Sequence, residues 1–228
     1  MTTTEPRPAA DVQQVLGRMR ALDAGLPRRD GLAVFNRVYL SVTEEIARRT
    51  AAGYFQDPVV AAEFGVRFAG RYLAAVDGAA AGQRPPACWQ PLFQYRRHPG
   101  VRPVQFALAG INAHIGHDLA LAVVGTCTAL GCEPEALRSD YERVDDVLVE
   151  LEERIREMLM PGPDLLDIAD PLTHLTGSWS LERAREAAWA ASRVLWGLRR
   201  SEELHEEARE RLDSAVGMVG RFLLTPLG

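Results

Sequence analysis

Along most of the chain, apolar residues recur every three or four positions, and short polar or glycine- and proline-containing breaks separate the runs. That period predicts amphipathic helices. The expected spans are 11–24, 30–52, 58–76, 102–130, 134–159, 164–175, 180–199 and 201–224. Turns are expected at Leu26-Pro27, Gly53, Gly82 to Pro86, Gly131 and Pro161-Gly162-Pro163. Strand-like alternation is scarce. The expected fold is all-α: a flexible tail (1–10), then a single helical domain (11–228), a bundle of about seven or eight helices around a central apolar one. The longest irregular stretch runs from Gly82 to Pro103 and carries Trp89, Phe93, Tyr95 and His98, which marks it as a lid or a packed cover.

Placing each helix on a wheel singles out polar groups that lie among apolar ones. In 30–52 the stripe is Leu32, Phe35, Tyr39, Val42 and Ile46, with Asn36 at its margin. In 134–159 Asp140 lies inside the stripe, whereas Asp145 and Asp146 do not. Arg185 falls within the stripe of 180–199, and Arg71 lies beside Phe64, Phe68 and Leu73 in 58–76. The 102–130 helix is apolar on nearly every side, so it is expected at the centre. On it His114, His117 and Asp118 cluster on one face, while Asn112 and Gln105 project elsewhere. Buried charges must be paired or metal-bound, so these groups should find one another or a ligand. Each also has a plainer role open to it: Arg185 as a structural ion pair with Asp140 or Asp118, Asp140 as a complement to a helix dipole, and Asn112 as a cap on a neighbouring backbone group. The 201–213 run, rich in acidic and arginine residues, is most simply a solvated face with ion pairs one turn apart.

Composition narrows the chemistry. The chain has 228 residues and 26 basic side chains, all arginine, against 31 acidic ones, for a net charge of -5. Without lysine there is no Schiff-base residue, no lysine general base and no Walker-type phosphate loop. The acidic balance argues against nucleic-acid binding. Cys88, Cys127 and Cys132 lack the paired spacing of a zinc ribbon and are expected to be reduced thiols; a Cys127 nucleophile is less supported than histidine chemistry. The first ten residues have no apolar signal region, and the most apolar stretch, Val104 to Val124, is interrupted by Asn112, His114, His117 and Asp118. A cytoplasmic protein without membrane contact is expected.

His114-x2-His117-Asp118 offers imidazole and carboxylate ligands on one helix face, suited to zinc, iron or manganese. The Glu-x-x-His pairs of di-metal bundles and the H-E-x-x-H of metalloproteases are absent. The metal-free alternative is histidine acid/base catalysis oriented by Asp118 or Asp140, with Arg185 binding an anionic or carbonyl group.

The run Asn112-Ala113-His114-Ile115-Gly116-His117-Asp118-Leu119 resembles a family of uncharacterised, mostly actinobacterial proteins with an Asn-Ala-His-Ile-x-x-Asp-Leu core. The likeness extends to Asp30 through Tyr39, to Asp140-Tyr141 and to Ala184-Arg185, and so covers most of the chain. It implies no activity. It directs attention to Asn112, His114 and Asp118, and it leaves position 117 open. The expected function is an enzyme of lyase, cyclase or hydrolase type acting on a small anionic or carbonyl-bearing molecule. His114, His117 and Asp118 are the expected catalytic groups and the expected metal ligands; Asn36, Asn112, Asp140 and Arg185 are the expected substrate contacts. The rival is a non-catalytic helical protein that binds a ligand, a partner or a second copy of itself, the last two through an apolar face on the final helices at Trp179, Trp196 and Phe222.

Overall fold

The computed structural model describes residues 8–159 and 180–226. Within them the chain is helical, with no strand. The helices are α1 (Pro8–Gly25), α2 (Gly31–Ala51), α3 (Pro58–Ala80), α4 (Gln90–Tyr95), α5 (Pro103–Ala113), α6 (Leu119–Leu130), α7 (Arg138–Leu159), α8 (Leu181–Leu198) and α9 (Glu202–Leu223). The expected helix at 164–175 lies outside the described residues. Helix α1 reaches back to Pro8, into the span expected as tail, and the expected loop between Gly82 and Pro103 contains the short α4. The expected helix at 134–159 begins instead as a 3-10 turn, Pro134–Leu137.

Local chemistry sets the helix starts. Asp30 precedes α2 and accepts from the Leu32 amide at 3.0 Å, and Asp57 caps α3 by accepting from Val59 and Val60. Pro58 and Pro103 open their helices, where a missing amide costs nothing. Asp30 also holds Arg96, and the Gly31 amide donates to the Arg96 carbonyl at 2.7 Å, so the aromatic loop is fastened to the head of α2.

Helices α5 and α6 form one continuous rod from Pro103 to Leu130, long and apolar enough to cross a membrane by length and composition, and 83% of its most apolar window is buried inside the protein. The rod is the core helix of the bundle. Helices α2, α3, α4, α7, α8 and α9 all pack on it. Phe35, Tyr72 and Trp89 pack on one side of it, and Tyr141, Trp189 and Leu137 on the other. Two glycines let neighbours come this close. A Cβ on Gly110 would sit 2.3 Å from the Phe35 ring, and one on Gly217 would sit 2.4 Å from the Ala87 carbonyl oxygen.

A ring can shift, but a backbone carbonyl held in a loop cannot shift cheaply. Gly217→Ala is therefore expected to destabilise the fold by about 1–3 kcal/mol, read as a lower urea midpoint at unchanged slope. Gly197→Ala, where nothing lies within 4 Å, is the control and should be neutral or stabilising. Equal midpoints for G217A and the wild type would contradict the close approach of α9 to the Ala87 backbone.

Candidate functional site

The central rod is not uniform. Between α5 and α6, residues His114–Asp118 form a π turn in which the Leu119 amide donates to the His114 carbonyl, five residues back. One extra residue in a turn rotates everything beyond it by roughly 100° relative to a regular helix, and such bulges concentrate at functional sites. The wheel could not show this rotation.

The π turn ends on Asp118, which is buried and receives three N–H groups. Trp89 Nε1 donates to Oδ2 at 3.0 Å. His114 Nδ1 meets the same oxygen at 3.1 Å, and His117 Nδ1 meets Oδ1 at 2.9 Å. Burial pushes the Asp118 carboxyl up, but the bonds from His114 and His117 outweigh it, so its pKa lies below its ordinary value. Burial acts oppositely on His114 and wins over Asp118 there, holding the imidazole below its ordinary value. An ionised acceptor beside a neutral imidazole requires the proton on Nδ1. His114 therefore carries its lone pair at Nε2. Its ring is stacked on Phe68 with centroids 3.7 Å apart and meets the Tyr39 ring edge-on at 4.3 Å.

His117 points its Nε2 the other way, 3.9 Å from Asp213 Oδ1 on α9. Among the described residues, neither histidine's Nε2 has a hydrogen-bond partner, and both atoms are buried. Asp213 accepts from the Ala87 and Cys88 amides at 2.8 and 2.9 Å, so α9 holds the loop before α4 in place. Burial, aided by Asp118 and Asp213, pushes the Cys88 thiol well up.

His117 and Asp118 also line a cleft of about 460 Å³ whose walls carry Arg67, Arg71, Arg84 and Arg209. Arg67 pairs with Glu63 and Arg209 with Glu206. Among the described residues Arg84 reaches only Gln90, at 3.4 Å. Arg71 is half-buried, and among the described residues no hydrogen bond or ion pair reaches it; it feels Asp118 favourably and Arg209 unfavourably. A second, apolar pocket of about 90 Å³ lies against α2, α3 and α7, lined by Tyr39, Phe55, Phe64, Phe68, Tyr141, Asp140 and Arg185. Small-molecule sites usually span about 300–1,000 Å³, so of these two pockets the arginine cleft is the one of adequate size, and it is the one that His117 and Asp118 line.

A family of unknown function (DUF5995) matches residues 12–226. The chain belongs to that family. No curated protein and no solved structure matches it.

The residues expected to form one constellation are divided by the structure. His114, His117 and Asp118 do meet, but around the carboxylate: each Nδ1 takes a different oxygen or lone pair of Asp118, so the three do not form the expected metal cage. The ligand-type cluster among the described residues is instead Cys88, His117 and Asp213. Asn36 lies in the core, donating to the Met19 carbonyl and accepting from Tyr72 Oη, and so ties α1, α2 and α3 together. Asn112 donates to the Val216 carbonyl at 3.0 Å and fastens α9, the backbone role left open for it; Gln105 does the same at the Leu223 and Thr225 carbonyls. Asp140 accepts from the Gln56 and Asp57 amides rather than serving α7's dipole alone. Arg185 pairs with Asp145, not with Asp140 or Asp118, while donating to the Tyr141 carbonyl and covering that tyrosine's ring. The four residues expected to contact substrate thus all hold other parts of the bundle, and Asp140 and Arg185 face the small apolar pocket. On the final helices Trp196 donates to Glu133 and Phe222 is exposed, while Trp179 lies outside the described residues.

Trp89, Cys88, Arg84, Arg209 and Asp213 were not expected at the site. One signal was present for Asp213: with Gly217 and Gly220 it forms a small-residue strip at i, i+4 and i+7, where another backbone comes close. The rest of its run does behave as a solvated face, with Arg211 bound to Glu207 one turn away.

The lowered pKa values give a signed pH dependence. His114 stays neutral in the folded protein below its ordinary 6.5, so the unfolded chain takes up the proton first. Its contribution is full above 6.5 and is lost as pH falls through the lower folded value. Asp118 adds a second loss below its ordinary 3.8. Thermal melts between about pH 7 and pH 5 should show a falling midpoint, and His114→Asn should flatten that fall. An unchanged slope in H114N would contradict a neutral buried His114.

Proposed function

We propose that the protein is an enzyme acting on a small anionic molecule bound in the arginine-lined cleft, with His117, oriented by Asp118, as the reactive group at its floor. The observation that carries this reading is Arg71. A half-buried guanidinium that no hydrogen bond or ion pair reaches among the described residues, beside a second arginine, is a poor arrangement for stability and a good one for holding an anion. Guanidinium groups grip carboxylates and phosphates with two parallel bonds and remain charged when desolvated, which a lysine would not do reliably. The cleft's volume suits a molecule of metabolite size. Asp118 takes the Nδ1 proton of His117 in a hydrogen bond and so leaves the Nε2 lone pair for a proton or a cation.

Calorimetric titration with inorganic phosphate and with pyruvate, in the presence of a chelator, tests the binding part. Arg71→Gln should weaken the better probe about 10–100-fold, the worth of one or two charge-assisted hydrogen bonds. Arg193→Gln, on the outer face of α8, should leave it unchanged. Equal affinity in R71Q and wild type would overturn the cleft as the anion site. Turnover of phosphate esters or 2-oxo acids that disappears in His117→Ala supports the enzymatic part, and anion binding without turnover in the wild type would make the protein a binding protein instead.

A further inference from the structure

We propose that Cys88, His117 and Asp213 hold a divalent cation, zinc by their chemistry, with Asp118 fixing the histidine from behind. The three side chains come from separate elements: the loop before α4, the π turn and α9. One potential ligand atom from each lies within 4.8 Å of the others. Around a tetrahedral zinc with bonds of roughly 2.0–2.3 Å, ligand atoms sit about 3.3–3.8 Å apart, so a small contraction closes the site. His117 Nε2 is already 3.9 Å from Asp213 Oδ1.

The second observation is the state of that nitrogen. His117 is 2% exposed, and its Nε2 is buried with no hydrogen-bond partner among the described residues. Its other nitrogen donates to Asp118 at 2.9 Å. Ligating histidines almost always give their second N–H to a carboxylate or carbonyl in this way, which fixes the ring and raises the basicity of the coordinating nitrogen. Thiolate, imidazole and carboxylate together select zinc over magnesium or calcium, which prefer oxygen alone. The site is also built to keep its shape. Asp213 is anchored by the Ala87 and Cys88 amides, and the absence of a Cβ at Gly217 lets α9 sit against that loop.

Binding converts the Cys88 thiol to thiolate and releases its proton to solvent. Three protein ligands leave one position for water or for an atom of a bound anion, the arrangement of catalytic rather than structural zinc. In that role the inference deepens the proposed function; the cation site itself rests on the three ligands alone.

The test uses the purified full chain, equilibrated with zinc, freed of excess and assayed for bound metal by mass spectrometry, with cobalt(II) as a spectroscopic substitute. Stoichiometric zinc and a cobalt spectrum with thiolate charge transfer are expected. Cys88→Ser should lower retention more than about tenfold and remove the charge-transfer band. Circular dichroism of C88S confirms the fold. Asp213→Asn, should it destabilise α9, is read by the cobalt spectrum of the folded fraction only. Arg71→Gln should retain zinc while losing phosphate affinity, and C88S should keep phosphate affinity in chelator, so failure of the metal site and failure of the anion cleft give different results. Wild-type protein that retains no metal, or C88S that retains as much as wild type, overturns the proposal.

Discussion

Everything at the centre of this bundle depends on one buried carboxylate. Asp118 lies at the end of the π turn in the core helix, where an unpaired charge would cost several kcal/mol. Three N–H donors from the aromatic loop and the π turn offset that cost, each a charge-assisted bond worth about 1.5–3 kcal/mol. The same bonds decide the chemistry. By accepting from Nδ1 of each ring, Asp118 turns both Nε2 atoms to the far side and leaves His114, held neutral by burial, with a lone pair there. Removing any one donor would leave the charge incompletely compensated, which is why Trp89, from a loop, is as much a part of the centre as either histidine.

The two Nε2 atoms face different surroundings. That of His114 is enclosed by Phe68, Tyr39 and their aromatic neighbours, a setting that favours the neutral ring and offers no polar partner among the described residues. That of His117 faces Cys88 and Asp213, and the ring itself touches a cleft whose walls are cationic. Of the two pockets beside these rings, size and charge favour the arginine cleft for the proposed function. The apolar pocket beyond Phe68 is small, and its polar residues are engaged with the Gln56 and Asp57 amides, Asp145 and the Tyr141 carbonyl.

The helices, the central apolar rod and the set of polar residues on apolar faces were legible from periodicity, because amphipathic spacing reports burial directly. The partners of those residues were not. Asn36, Asn112 and Asp140 are buried or nearly so, yet each satisfies a backbone group contributed by a distant element, Met19, Val216 and Gln56, and a helical wheel holds no information about distant backbone. Arg185 illustrates the same limit: the wheel placed Asp145 off the stripe, but a long guanidinium reaches past the edge of its own helix to find it. The π turn was illegible because no residue type demands one. Cys88 and Asp213 were hidden by context, one in an irregular loop and the other at the end of a charged run, and only the packing of α9 on that loop brings them to His117.

The central claim is that an ionised Asp118 accepts from Nδ1 of both histidines and that buried His114 is the neutral Nδ1–H tautomer with a bare Nε2 atom. Long-range 1H–15N correlation spectra of the imidazoles at neutral pH test it most directly. Two buried rings are predicted, assigned through H114N and H117Q variants, each with a protonated Nδ1, and His114 with an unprotonated Nε2. An unprotonated Nδ1 on either ring, or a proton on Nε2 of His114, would contradict the account.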